Sequence, residues 1–179
     1  MSLGVKKKQN KRHTSPSGDY PDISYGKNPV LEAINGPRKV YEVLFADNPK
    51  KWQQEPLFQL VKKEKIPHNF VPRTELDYLS HQGVHQGVLA RLQNYPDYSL
   101  HEVFDKKESK LVLVLDSIQD PQNFGSLCRT ALCFGIREII IPKDHSAPTS
   151  GLVAKASAGA IEHLKIIRVT NLTRSIEEL

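Results

Sequence analysis

The sequence predicts an α/β protein: a small α/β/α layered domain over residues 22–93, then a parallel-sheet domain over residues 110–179. Three observations predict it. Short apolar strands alternate with helical segments through the first domain, as in layered α/β units. Leu111–Leu115 is a continuous apolar run, the mark of a strand buried on both faces, and a polar loop, a helix and a second such run follow it. Asn94 to Asp97 is turn-rich, so residues 94–109 read as a linker between the two.

Residues 1–21 read as a disordered basic tail. Asn28 to Asn35 is a short helix with Pro29 at its start and Gly36 beyond its end. Tyr41 to Ala46 is a strand. Trp52 to Lys65 is one amphipathic helix, with Pro56 making its first turn irregular. Asn69 to Pro72 is a strand, Thr74 caps a short helix through Leu79, and Gly87 to Leu92 is a third strand. The tandem tetrapeptide HQGVHQGV, residues 81–88, is too short for a repeat architecture and reads as a loop. His81 and His85 lack a third ligand at metal-binding spacing.

Leu100 to Lys106 is a helical stretch. After the strand at Leu111–Leu115, Ser117 to Gln122 is a loop carrying Pro121. Asn123 is placed to cap the next helix, and Gly125 lets a backbone or ligand approach its first turn. Leu127, Ala131 and Phe134 should face the sheet; Ser126, Arg129, Thr130 and Cys133 form a second stripe with Asn123 just before it. Gly135 closes the helix. Strands at Glu138–Ile141 and Leu164–Val169 follow, with a helix from Ser150 or Gly151 to Ala156 between them and another over Leu172–Leu179. Three βα units in a row give a parallel sheet with right-handed crossovers. Such a sheet would leave an edge and a face uncovered, so the domain is expected to be incomplete.

The 179 residues carry a net charge of +5, four of those charges coming from Lys6, Lys7, Lys8, Lys11 and Arg12 against Asp19. The basic balance therefore belongs to the tail, which reads equally as a nucleic-acid attractor and as a solvated leader. It lacks the apolar core of a secretory signal. Its basic, acid-poor composition leaves a mitochondrial presequence open, without the apolar face that would make its helix amphipathic. No apolar run approaches the roughly 20 residues of a membrane span. Cys128 and Cys133 fit neither a disulfide framework nor a CxxC pair and read as reduced thiols of a cytoplasmic protein.

The segment Asp120-Pro121-Gln122-Asn123-Phe124-Gly125-Ser126-Leu127-Cys128-Arg129 resembles the first signature of the SpoU (TrmH-type, SPOUT-class) RNA 2′-O-ribose methyltransferases. KASAGA, residues 155–160, is similar to that family's next block. Tyr25 to Ala33 and His85 to Ala90 look like the start and end of its amino-terminal RNA-binding domain. The resemblance implies an S-adenosylmethionine-dependent enzyme with a trefoil-knot catalytic domain, closest to the subgroup that methylates a guanosine of large-subunit ribosomal RNA; a transfer-RNA target stays open. It implies a homodimer when full length. It also implies Arg129 and Asn123 as catalytic-site residues, and Lys27, Asn28, His85, Gln86 and Ser157 as RNA contacts. The glycine-rich Glu loop and the Ser-Leu-Asn segment that form the knot and donor pocket have no counterpart before Leu179. Cofactor-binding residues are thus expected beyond it, and tight donor binding by this chain is not.

From the residues alone, Arg129 is an exposed helix arginine, Asn123 a helix cap, Asp116 and Asp120 loop formers by Asx-turns, and Ser157 a small packing residue. Within the signature, Arg129 gains a sharper role. Ribose methylation needs alignment and removal of the 2′-OH proton. A guanidinium stays protonated to a pKa above roughly 12, so a phosphate clamp and alkoxide stabiliser suits it better than a base. The competing reading is a binding module that recognises folded RNA without catalysis. A plain nucleotide-binding domain would need G-x-G-x-x-G or G-x-x-x-x-G-K-[ST] after its first strand, and neither is present there.

Overall fold

A computed structural model describes residues 22–104 and 111–179. The tail at 1–21 and residues 105–110, which end the linker, lie outside the described residues. The first half builds a four-stranded sheet in the order β1-β4-β2-β3 from β1 (Asp22–Tyr25), β2 (Val40–Ala46), β3 (His68–Val71) and β4 (Val88–Leu92). β4 runs antiparallel to both neighbours, and β2 pairs parallel with β3. α1 (Lys27–Asn35) follows Gly26 and buries Pro29, Val30 and Ala33 against one face, beside Phe45, Trp52 and Phe58. The edge strand β1 is absent from the sequence-based expectation.

The single helix expected over Trp52–Lys65 is two. α2 (Pro49–Trp52) is capped by Asn48, whose Oδ1 accepts the Lys51 amide at 3.2 Å, and α3 (Pro56–Lys63) starts afresh at Pro56. Proline has no N–H to give the preceding turn and its ring clashes with the carbonyl four residues back, so the helix breaks there. α4 (Arg73–Leu79) likewise starts directly behind Pro72, and the expected Thr74 cap falls inside its first turn.

The second sheet is parallel, in the order β5-β6-β7: Val112–Val114, Glu138–Pro142 and Lys165–Val169. α6 (Pro121–Cys133) begins two residues before the expected cap at Asn123. Asp120 is the cap, its Oδ2 accepting the Asn123 amide at 2.9 Å, and Pro121 takes the first helical position where no N–H is needed. α6 sets Phe124, Cys128 and Ala131 into the core, with Leu127 half-buried. Phe134 does not face the sheet: it ends the helix and is 77% exposed, because the chain turns away through Gly135 at φ +77°. α7 (Gly151–Ala156), a 3-10 turn at Ala160–His163 and α8 (Leu172–Glu177, capped by Asn171) complete this half.

The segment after β4 is not a free linker. Tyr98 forms a parallel bridge with Ile167 beside β7. Tyr98, Leu100, Phe104 and, from α8, Leu172 pack on Ile140, Ile167 and Val169, so the face expected to be bare is partly covered. Within that cover, α5 is Leu100–Val103; the rest of the helix expected to Lys106 runs into residues outside the description.

The two halves meet along α7. Gly151 comes so close to β1 that a Cβ there would lie 2.3 Å from the Ile23 carbonyl oxygen. Next to this seam Arg38 reaches across the junction. Its Nε and Nη2 donate to Glu162 at 2.8 and 2.6 Å, and its Nη1 donates to Asp22 at 2.6 Å and the Gln93 carbonyl at 3.0 Å. The guanidinium lies 5.3 Å from the Tyr95 ring.

Candidate functional site

In open α/β sheets chemistry gathers beyond the carboxyl ends of the strands. Here those ends are tied together. The loop after β6 gives the Ala147 amide to the Ile118 carbonyl at 2.8 Å, and Arg168 on β7 donates to the Ala147 carbonyl at 3.0 Å. Burial lowers the Arg168 guanidinium below the usual arginine range, opposed by nearby Asp97. Ser117 turns the chain from β5 towards α6 at φ +56°.

α6 presents the polar stripe that its periodicity predicts. Asn123, Ser126, Arg129, Thr130 and Cys133 are all exposed. Thr130 donates back to the Ser126 carbonyl at 3.0 Å. Among the described residues neither the Asn123 nor the Arg129 side chain has a hydrogen-bond or ion-pair partner. The two do not face each other. Six residues apart on a helix, they differ by about 9 Å of rise and two-thirds of a turn. Arg129 instead shares a flank with Gly125, one turn before it. Gly125 is the crossing point with α7. A Cβ there would meet the Ala156 Cβ at 2.4 Å and the Ser157 amide nitrogen at 2.9 Å. The small residues of KASAGA thus serve helix contact, and they bring the end of α7 to the flank that carries Arg129.

Ser157 is turned inward. It is 1% exposed, donates to the Ala154 carbonyl at 3.2 Å and accepts the Ile161 amide at 3.4 Å. The side chain thus packs at the α7 end, as the residues alone suggest, and offers no hydroxyl to a bound nucleotide. His85 is corrected as an RNA contact. It is 2% exposed; Nδ1 accepts the Gly87 amide at 3.0 Å, so the ring proton sits on Nε2, which donates to Asp77 at 2.9 Å. The ring holds the loop that presents Gln86 in a left-handed conformation at φ +56°.

Lys27, Asn28 and Gln86 do reach the surface. Gln86 Oε1 accepts the Lys27 amide at 2.9 Å, and Lys27 Nζ pairs with Glu55 at 2.7 Å, 5.7 Å from the Trp52 ring. From the other half, Lys155 donates to the same Gln86 oxygen at 3.2 Å. Burial holds its ammonium below the usual lysine range. Lys155 escaped the sequence reading although KASAGA begins with it; only the fold shows it meeting Gln86. No helix among the described residues is long and apolar enough to cross a membrane.

Residues 110–179 match the SpoU rRNA Methylase family, and residues 23–98 match the family described as RNA 2′-O ribose methyltransferase substrate binding. A Bacillus subtilis (strain 168) protein named as a TrmH family tRNA/rRNA methyltransferase, YacO, is 41% identical over 162 residues, covering 88% of this chain and 65% of its own. A Staphylococcus epidermidis protein named to the same family is 39% identical over 161 residues, covering 88% and 64%. The chain thus spans somewhat less than two-thirds of the length of these relatives. Among solved structures, the SpoU methyltransferase AviRb from Streptomyces viridochromogenes, in complex with AdoMet, aligns with a TM-score of 0.69 at 18% identity, over 87% of this chain and 58% of that one. An rRNA methyltransferase from Sinorhizobium meliloti aligns with a TM-score of 0.67 at 20% identity, over 88% and 57%. At these identities the structures speak for the fold.

Proposed function

We propose that this chain, whose residues 110–179 match the SpoU rRNA Methylase family and whose residues 23–98 match the substrate-binding family, is the acceptor-binding part of an enzyme that moves a methyl group from S-adenosylmethionine to a ribose 2′-OH of folded RNA. Ribosomal RNA, and a guanosine in it, is the favoured substrate; transfer RNA is the alternative. The full-length protein works in the cytoplasm as a homodimer.

The observation that carries this reading is the exposed Arg129, without a side-chain partner among the described residues and held on the α6 flank beside the α7 crossing. A guanidinium there forks onto a phosphate and stabilises the alkoxide that forms as the 2′-OH loses its proton. It is a poor proton acceptor, so its work is positioning and charge stabilisation. Asn123, exposed in the first turn of α6, offers a carboxamide to the ribose from a different side of the helix. Lys27, Asn28 and Gln86 carry the RNA backbone on the first half.

The cleft of 440 Å³ near the carboxyl end of β7 is lined by Lys143 and Arg168 against the single carboxylate of Asp97, with Tyr98 and Ser99, a net positive lining for a donor that carries a sulfonium. This favours a second reading for the chain taken alone, a module that binds RNA without methylating it. The test uses the full-length enzyme with tritiated donor and ribosomal RNA, followed by mapping of ribose methylation. Arg129→Ala and Arg129→Lys should both lose nearly all turnover with the fold intact, because lysine cannot reproduce the fork. Turnover retained by either variant refutes the assignment.

A further inference from the structure

The seam between the two halves holds a cleft of 490 Å³ that the site above does not use. Its position follows from how α7 lies along β1. Gly151 sits against Ile23, and one turn further on the Lys155 Nζ lies where a Cβ on Gly26 would be, 2.6 Å away. The cleft opens beside the first of these contacts. Its apolar wall comes from Ile23, Tyr25 and Leu79 of one half and Leu152 of the other. Its polar edge comes from His81, Ser150 and Ser80, the last with its hydroxyl turned to the Asp77 and Gly83 carbonyls at 3.4 Å. Gly83 keeps close company with the Tyr25 ring, where a Cβ would come within 2.7 Å.

We infer that this cleft seats one unstacked nucleobase of the RNA, with the phosphate of the same nucleotide on Lys155. This rests on the reading of the chain as an RNA-binding half-enzyme and adds where a second nucleotide goes. An apolar wall with hydroxyls at its edge suits a flat heteroaromatic ring that carries donors and acceptors on its rim. The charge beside it suits a phosphate. Lys27 is already paired with Glu55, whereas Lys155 is bonded to the neutral amide of Gln86 and meets no carboxylate among the described residues. One helical turn, about 6 Å, separates Gly151 from Lys155, a span a ribose bridges. Beyond Lys155, Ala156 touches Gly125, one turn from Arg129. A strand that places a base in the cleft and a phosphate on Lys155 therefore runs on towards Arg129, so the seated base neighbours the nucleotide at Arg129.

The experiment is fluorescence anisotropy of this chain with two fluorescein-labelled RNAs, a hairpin with one bulged nucleotide and a fully paired duplex of equal length. Wild type should prefer the bulged hairpin. Leu152→Trp fills the cleft and should weaken binding to that hairpin about tenfold while leaving the duplex unchanged. Lys155→Gln should weaken it several-fold and reduce the salt dependence by about one counterion. Unfolding midpoints within a few degrees of wild type certify the folds, and Lys155→Gln alone decides if Leu152→Trp does not fold. Wild-type binding to the bulged hairpin that both folded variants retain, or losses that are equal on both RNAs, overturns the cleft assignment and leaves the RNA reading standing. A wild-type chain that binds neither RNA overturns both.

Discussion

Replacing Arg38 by methionine should cost the protein a large part of its stability. The Arg38 side chain is 4% exposed and that of Glu162 is 0% exposed, so the pair is cut off from water. Removing one partner of a buried ion pair strands the other and costs about 3–5 kcal/mol. In Arg38→Met the stranded group is the Glu162 carboxylate, which loses both of its charged hydrogen bonds. At roughly 2–4 °C per kcal/mol for a chain of this size, the melting temperature should fall by roughly 6–20 °C. Glu162→Leu should cost less, about 2 kcal/mol, because Arg38 keeps Asp22 at 2.6 Å and the Gln93 carbonyl at 3.0 Å. The double variant Arg38→Met/Glu162→Leu should come back to within about 2 kcal/mol of wild type, since no charge is left buried there. Asp22, 24% exposed, can turn to water. The assay is urea unfolding followed by circular dichroism on all four proteins. A cost below about 1 kcal/mol for Arg38→Met, or a double variant as weak as the sum of the singles, refutes the reasoning.

Three further outcomes follow from the same packing. Gly125→Ala should destabilise by about 1–3 kcal/mol, because its Cβ meets Ala156 and the Ser157 backbone with no room to yield; a midpoint equal to wild type in chemical unfolding contradicts the α6–α7 contact. Burial pushes the Cys128 thiol up to about 12 from an ordinary 9.0, so the folded chain keeps a proton that the unfolded chain releases. Stability from this group is complete below pH 9 and is lost as pH rises towards 12, by at most about 1.4 kcal/mol per pH unit; Cys128→Ala should flatten that slope, and an unchanged slope removes the linkage. Titration of this chain with S-adenosylmethionine in a calorimeter should show no micromolar binding, and a tight isotherm would mean that a donor seat exists among these residues.

Much of the fold was legible because its signals are local. The three apolar runs of the second sheet and the polar stripe of α6 follow from periodicity alone. The misses have particular causes. Asp120 and Asn123 are both good caps three residues apart; Pro121 decided between them, since a proline suits the first helical position. Pro56 lies within an apolar periodicity that continues on both sides of it, so the break it makes between α2 and α3 does not show in the pattern. β1 is four residues long with Asp and Ser in it, too short for alternation to stand out. His85 looks like surface chemistry in the sequence; its burial depends on partners that only the folded chain supplies. Arg38 and Glu162 are 124 residues apart, and nothing local links them. The same holds for Lys155 and Gln86, 69 residues apart, so the site's basic flank became visible only when the two halves met.

The bridge between Tyr98 and Ile167 bears on how this molecule can be cut. A fragment started at the first residue of β5 keeps every strand of the second sheet yet discards Tyr98, Leu100 and Phe104. Ile140, Ile167 and Val169 then lose those coverings, and the outer rim of β7 stands open to pair with a neighbouring molecule. Expressed that way the fragment should precipitate or self-associate, whereas a fragment begun at Asn94 brings its own shield.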